Sequence, residues 1–263
     1  MWLLNATTNE LEFFEGNRTP RYAILSHRWE DGEVSFKDVQ ERRHFGMKGF
    51  YKIQKCCEQA LANDLSYVWV DACCINKESS AELSEAINSM YRWYNESVVC
   101  YGYLSDVERS VGHFTLQRGN DPSWGNNDGD DTSMMTQSLW FTRGWNLQEL
   151  LACKVLMFYD SQWKSLGSKV ECRGAIRQRT GIPIRALENF VPNDHTILEK
   201  MTWAAERQTT RVEDRAYSLL GLFDVHMPLL YGEGERAFRR LQLEIMVMTT
   251  DCPAPIAYCL ITC

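Results

Sequence analysis

The stretch Tyr67–Leu104, YVWVDACCINKESSAELSEAINSMYRWYNESVVCYGYL, decides the fold. Its opening, Tyr67-Val-Trp-Val-Asp71, is a short apolar run that closes on a carboxylate and reads as a buried strand. The period then changes. Leu83, Ile87, Met90 and Tyr94 recur three and four residues apart, which is one face of a helix. Ser79 or Ser80 caps its start, and Glu82 and Glu85 suit the positive end of its dipole. Val98–Leu104 returns to an apolar run and makes the next strand. Strand, helix and strand in immediate succession predict parallel pairing with a crossover helix.

The same alternation extends in both directions. Upstream, a short N-terminal hairpin precedes the strand Tyr22–Ser26, which runs into Ser26-His27-Arg28-Trp29. A helix over Gly49–Leu61 follows, with Phe50, Ile53, Cys57 and Leu61 as its apolar stripe. Downstream, Asp106–Ser138 is rich in turn residues, GNDPSWGNNDGDD among them, and reads as a loop or insertion. A helix at Trp145 and a strand over Lys154–Tyr159 resume the pattern. Beyond Trp163 the sequence becomes mainly helical, over 167–180, 197–205, 215–223 and 233–246. The expected layout is an α/β domain over 1–165, a helical extension packed on it over 166–247, and an irregular tail over 248–263, where Pro253 and Pro255 stop the last helix.

Composition narrows the function classes. The chain has 263 residues and a net charge of −7, with no block of Lys or Arg, which argues against a nucleic-acid partner. Nine Trp, eleven Tyr and eleven Phe supply a large core. No run is long and apolar enough to span a bilayer, and the N-terminus lacks the pattern of a secretion signal, so a cytoplasmic location is expected. The ten Cys form no CxxC knuckle and have no His at zinc-ligand spacing; they read as reduced, buried thiols, and no metal site is expected. Nothing local activates Cys73 or Cys74 as a nucleophile beside His27.

Candidate site residues lie where an open parallel sheet gathers ligands, beyond the carboxyl ends of its strands. Ser26, His27 and Arg28 stand there, as do Asp71–Asn76, Ser105, Asp106 and Asp160. Their polarity has two readings, a ligand site or ordinary helix capping. The segment Ser138–Leu151, SLWFTRGWNLQELL, sets Trp145 and Glu149 four residues apart on one helical face among aromatic neighbours. Glu149 is then either a sheltered functional carboxyl or a surface group paired with Arg143. Arg28 is either an anion holder or an ion-pair partner of Asp71 or Glu149.

Several blocks together resemble a known family. YAILSHRWEDGEVSFKDV, YVWVDACCINKESSAELSEAINSMYRWYNESVVCYGYLSDV and WFTRGWNLQELLA resemble the three blocks of the fungal heterokaryon incompatibility (HET) domain, covering roughly residues 20–160. MTWAAERQTTRVEDRAYSLLGLFDVHMPLLYGEGERAFRRLQLEI resembles the helical segment that commonly follows it. The resemblance implies an effector of non-self recognition and cell death; the alternative is a signalling scaffold with no chemistry of its own that acts through homotypic or partner-protein assembly. It also implies a distant kinship with TIR domains, whose flavodoxin-like sheet agrees with the alternation above. Some TIR domains cleave NAD with the glutamate of a W-x-x-x-E segment, and Trp145–Glu149 matches that spacing. The kinship makes Glu149 the candidate catalytic residue and NAD or a related nucleotide the candidate substrate, with no cofactor required. Ser26, His27, Arg28, Trp29, Asp71, Trp140 and Trp145 become candidate nucleotide-binding residues.

Overall fold

The apolar runs of the sequence become the parallel centre of a single sheet. In the computed structural model, which describes residues 1–108 and 134–250, β1 (Trp2–Asn5) and β2 (Leu11–Phe13) form the N-terminal hairpin, and β3 (Ala23–His27) follows. Helices α1 (Phe36–Gln40) and α2 (Phe50–Ala62) lead to β4 (Tyr67–Trp69), and α3 (Ser80–Glu96) leads to β5 (Val99–Tyr103). Helix α4 (Trp145–Ala152) precedes β6 (Leu156–Tyr159) and β7 (Ser165–Ser168). The seven strands lie in the order β2-β1-β4-β3-β5-β6-β7. The strands β4, β3, β5 and β6 are mutually parallel, while β1 and β7 flank them as antiparallel neighbours of β4 and β6. The expected α/β architecture with a mostly parallel sheet is what the chain adopts.

Handedness then places the helices. The chain steps from β3 to β4 in one direction and from β4 back across β3 to β5 in the other. Right-handed crossovers therefore put α2 on one face of the sheet and α3 with α4 on the opposite face. The reversal falls between β3 and β5, so the crevice for ligands is expected at their carboxyl ends. Capping fixes where the helices begin: Ser79 accepts from the Glu82 N–H, and Ser35 with Asp38 makes a reciprocal capping box on α1. Trp69 and Trp140 are among the largest fully buried side chains. Gly102 of β5 has no room for a side chain, because a Cβ there would lie 2.9 Å from the Phe158 ring.

Three expectations need correction. The helix expected from Gly167 starts only at Arg173, as α5 (Arg173–Thr180), because Ser165–Ser168 instead pairs with β6. Pairing satisfies the outer backbone groups of β6, a long-range demand that the polar sequence Ser-Leu-Gly-Ser does not advertise, and Gly167 takes a φ of +112° that favours glycine. On α2 the buried stripe runs through Phe50, Ile53, Cys56, Cys57 and Ala60, while Leu61 is 43% exposed. The helix expected over 215–223 is broken into α8 (Asp214–Tyr217) and α9 (Leu220–Phe223).

The remaining helices are α6 (Ile184–Glu188), α7 (Ile197–Ala205) and α10 (Arg236–Thr250). The extension packs on the α/β part through α9, which lies on α3. The strand β7 straddles the boundary expected at residue 165. Most of the turn-rich segment, 109–133, and the tail, 251–263, lie outside the described residues. The seven cysteines among the described residues are free and buried. No helix among the described residues is long and apolar enough to cross a membrane.

Candidate functional site

Successive residues on a strand point to opposite faces, and at the end of β3 this separates two polar clusters. Ser26 faces the side of α3 and α4. Its hydroxyl donates to a Glu149 carboxyl oxygen, and the Trp140 indole N–H donates to the same hydroxyl at 2.9 Å. Tyr94 of α3 closes the cluster, with its hydroxyl donating to the Leu25 carbonyl at 3.1 Å. Glu149 is 5% exposed, and Ser26 and Trp140 are more deeply buried still. Burial raises the Glu149 pKa to about 8; the nearby Asp71 charge adds to that, and the Ser26 hydrogen bond and the Arg143 charge oppose it. At neutral pH the carboxyl therefore holds its proton.

His27 faces the other side. Its ring is 1% exposed and stands between two carboxyls, with Nε2 3.8 Å from Glu33 and Nδ1 3.7 Å from Asp71. Lys52 of α2 bonds Glu33 and donates to the Arg28 carbonyl at 3.3 Å. Burial would raise the Glu33 pKa, but His27 and Lys52 outweigh it and hold the carboxyl down at about 2. Asp71 accepts from the Trp29 indole at 2.7 Å, and the Lys77 ammonium sits 3.7 Å above the Trp29 ring.

Residues 22–149, which contain β3, α2, β4, α3, β5 and the helix turn that ends on Glu149, match the family described as heterokaryon incompatibility protein (HET). Through this region the chain belongs to the HET family. The chain is also 42% identical, over 231 residues or 87% of its length, to vegetative incompatibility protein HET-E-1 of Podospora anserina. It spans 16% of that relative's length. No solved structure matches it significantly.

The HET domain thus divides the candidate residues rather than gathering them. Ser26, Trp140 and Glu149 form one buried cluster, and His27, Trp29 and Asp71 form another across the sheet. Arg28 has its backbone carbonyl engaged by Lys52. Trp145 turns toward Asp214 of α8. Asp214 itself is bound by Tyr231 at 2.9 Å.

Three residues of the site were not legible as such. Lys52 lies on the buried face of α2, four and eight residues before buried Cys56 and Ala60; that spacing was the available signal. Glu33 pairs with Lys52 only in three dimensions. Arg207 approaches Glu149 from the helical extension, where its guanidinium donates to the Arg143 carbonyl at 3.0 Å and the Trp203 carbonyl at 3.2 Å. No local pattern points from Arg207 to Glu149.

Proposed function

We propose that this chain is the effector part of an incompatibility protein that triggers cell death on non-self recognition, and that it acts by hydrolysing NAD at the nicotinamide–ribose bond. The observation that supports this best is the Glu149 carboxyl bonded to Ser26 at the carboxyl end of β3, the end at which an open parallel sheet is expected to gather ligands. The chemistry suits a lone carboxylate. Nicotinamide leaves as a neutral molecule and needs no acid, while a carboxylate steadies the positive charge that develops on the ribose. Trp140, bonded to the same serine, would screen that charge from water.

In the closed arrangement Glu149 is protonated and covered, so activity requires that it be opened and ionised. Clustering of the domain through homotypic or partner assembly supplies such an opening in this reading. The expected result is nicotinamide release from NAD by the chain fused to an oligomeriser, with release lost in Glu149→Ala. A second reading, a signalling scaffold with no chemistry of its own, is favoured by one observation, the nearly complete burial of Glu149. Cell killing that persists in Glu149→Ala, with no nicotinamide released by either clustered protein, would establish the scaffold instead.

A further inference from the structure

A segment of the helical extension clamps the turn from which the Glu149 helix starts. Gln208 pairs with that turn in both directions: its carbonyl accepts from the Gly144 N–H at 2.8 Å, and its N–H donates to the Thr142 carbonyl at 2.7 Å. On one side of Gln208 the Arg207 guanidinium donates to the Arg143 carbonyl at 3.0 Å, and on the other the Thr209 methyl rests on Gly144. The clamped turn, Leu139–Thr142, carries Trp140, whose indole donates to the Ser26 hydroxyl that bonds Glu149. Gly144 has helical dihedrals, φ −58° and ψ −51°, so its backbone makes no demand for glycine. Space does, because a Cβ there would lie 2.5 Å from the Thr209 methyl and 3.3 Å from Ser218 Oγ.

Little holds the segment besides these contacts. No residue from Glu206 to Val212 is buried, so its release exposes little apolar surface and costs mainly a few hydrogen bonds. One of its groups is also poorly accommodated when it is seated. Arg207 Nη2 is buried with no hydrogen-bond partner among the described residues. Burial, and then the neighbouring Arg179 charge, lower the Arg207 pKa to about 9 against the pull of Glu149. Release returns this guanidinium to water and recovers the cost of stranding it.

We propose that residues 206–212 are an autoinhibitory strap: seated, they hold Trp140 and the start of α4 over Glu149, and released, they let both move away and uncover the carboxyl. This inference rests on the reading of Glu149 as the functional group, and it names the contact that assembly must break.

The test introduces a clash and then relieves it. Gly144→Ala drives a methyl into Thr209, and Thr209→Ser removes the methyl it strikes while keeping the hydroxyl that donates to the Arg211 carbonyl at 2.7 Å. The probe is carbodiimide coupling of glycinamide to Glu149 in the full chain, read by peptide mass spectrometry, a measure of exposure that needs no NAD chemistry. Gly144→Ala is expected to raise labelling of Glu149 by about tenfold, and the double variant to return it to the level of the unaltered chain, with circular dichroism unchanged. Unchanged labelling in folded Gly144→Ala, or a rise that Thr209→Ser does not reverse, would overturn the proposal. If Gly144→Ala does not fold, amide exchange in the unaltered chain decides: the Gly144 and Gln208 amides are expected to exchange at least about tenfold faster than those of β3 and β5, and equal rates would overturn it. Nicotinamide release separates the two readings. Labelling that rises and falls as expected, with no release from NAD by any clustered variant, leaves the strap standing without NAD cleavage; release with no change in labelling keeps NAD cleavage and removes the strap.

Discussion

Glu149 and Glu33 lie on opposite sides of the same strand end, and their surroundings drive them to opposite charge states. Glu149 is buried, and its principal partner is a hydroxyl, so its pKa rises from the usual 4.5 to about 8. Glu33 is flanked by a lysine and a histidine, and its pKa falls to about 2. The stability consequences have opposite sign. For Glu149 the folded state holds a proton that the unfolded state has released between these two values, so the stability it contributes is complete below the usual carboxyl range and is lost as pH rises toward 8, at up to about 1.4 kcal/mol per pH unit. Glu149→Gln imitates the protonated acid and should flatten that slope. Urea midpoints of both proteins between pH 5 and 8 would show it; parallel slopes would mean that Glu149 is ionised in the fold. For Glu33 the contribution is present above the usual carboxyl range and is lost as pH falls toward 2.

Among the elements, the contact of α9 with α3 ties the helical extension to the sheet. A Cβ at Gly221 would overlap the Cβ of Tyr91, an atom too close to the backbone to swing aside. Helix propensity alone predicts that Gly221→Ala stabilises by about 1 kcal/mol. Overpacking predicts a loss of about 1–3 kcal/mol, and the geometry favours the loss. The sign of the change in thermal midpoint decides between them. A second device holds the far end of Glu149's own helix: the buried Lys169 ammonium donates to the Leu150 and Cys153 carbonyls at 3.0 and 2.6 Å, which caps α4 where its dipole is negative. Glu149 is therefore placed by a strand on one side, and its helix is steadied by a lysine from beyond β7 on the other.

At the scale of the molecule, the α/β part and the helical extension complete each other. The Asn88 amide of α3 donates to the Met227 carbonyl at 3.2 Å and accepts from its N–H at 3.1 Å. The Gly144 N–H before α4 donates to the Gln208 carbonyl at 2.8 Å, and the Gln208 N–H returns a bond to Thr142 at 2.7 Å. Contacts shared this closely predict one cooperative unfolding transition in urea, coincident by tryptophan fluorescence and far-ultraviolet circular dichroism. Asn88→Ala should lower the common midpoint without splitting it, whereas two separated transitions would make the extension an independent unit. The sequence by itself determined the alternation of strands and helices, a serine cap at Ser79 or Ser80 and the polar strand ends, because periodicity and capping are local properties of neighbouring residues. It also put Trp145 and Glu149 on one helical face, while the burial of Glu149 was decided by the tertiary structure. Only the tertiary structure decided that Ser26 and His27 serve different clusters, that β7 is a strand, that Lys52 meets Glu33 and that Arg207 approaches Glu149. Those outcomes depend on which distant groups can satisfy a buried polar atom, and that is settled when the whole chain closes around the sheet.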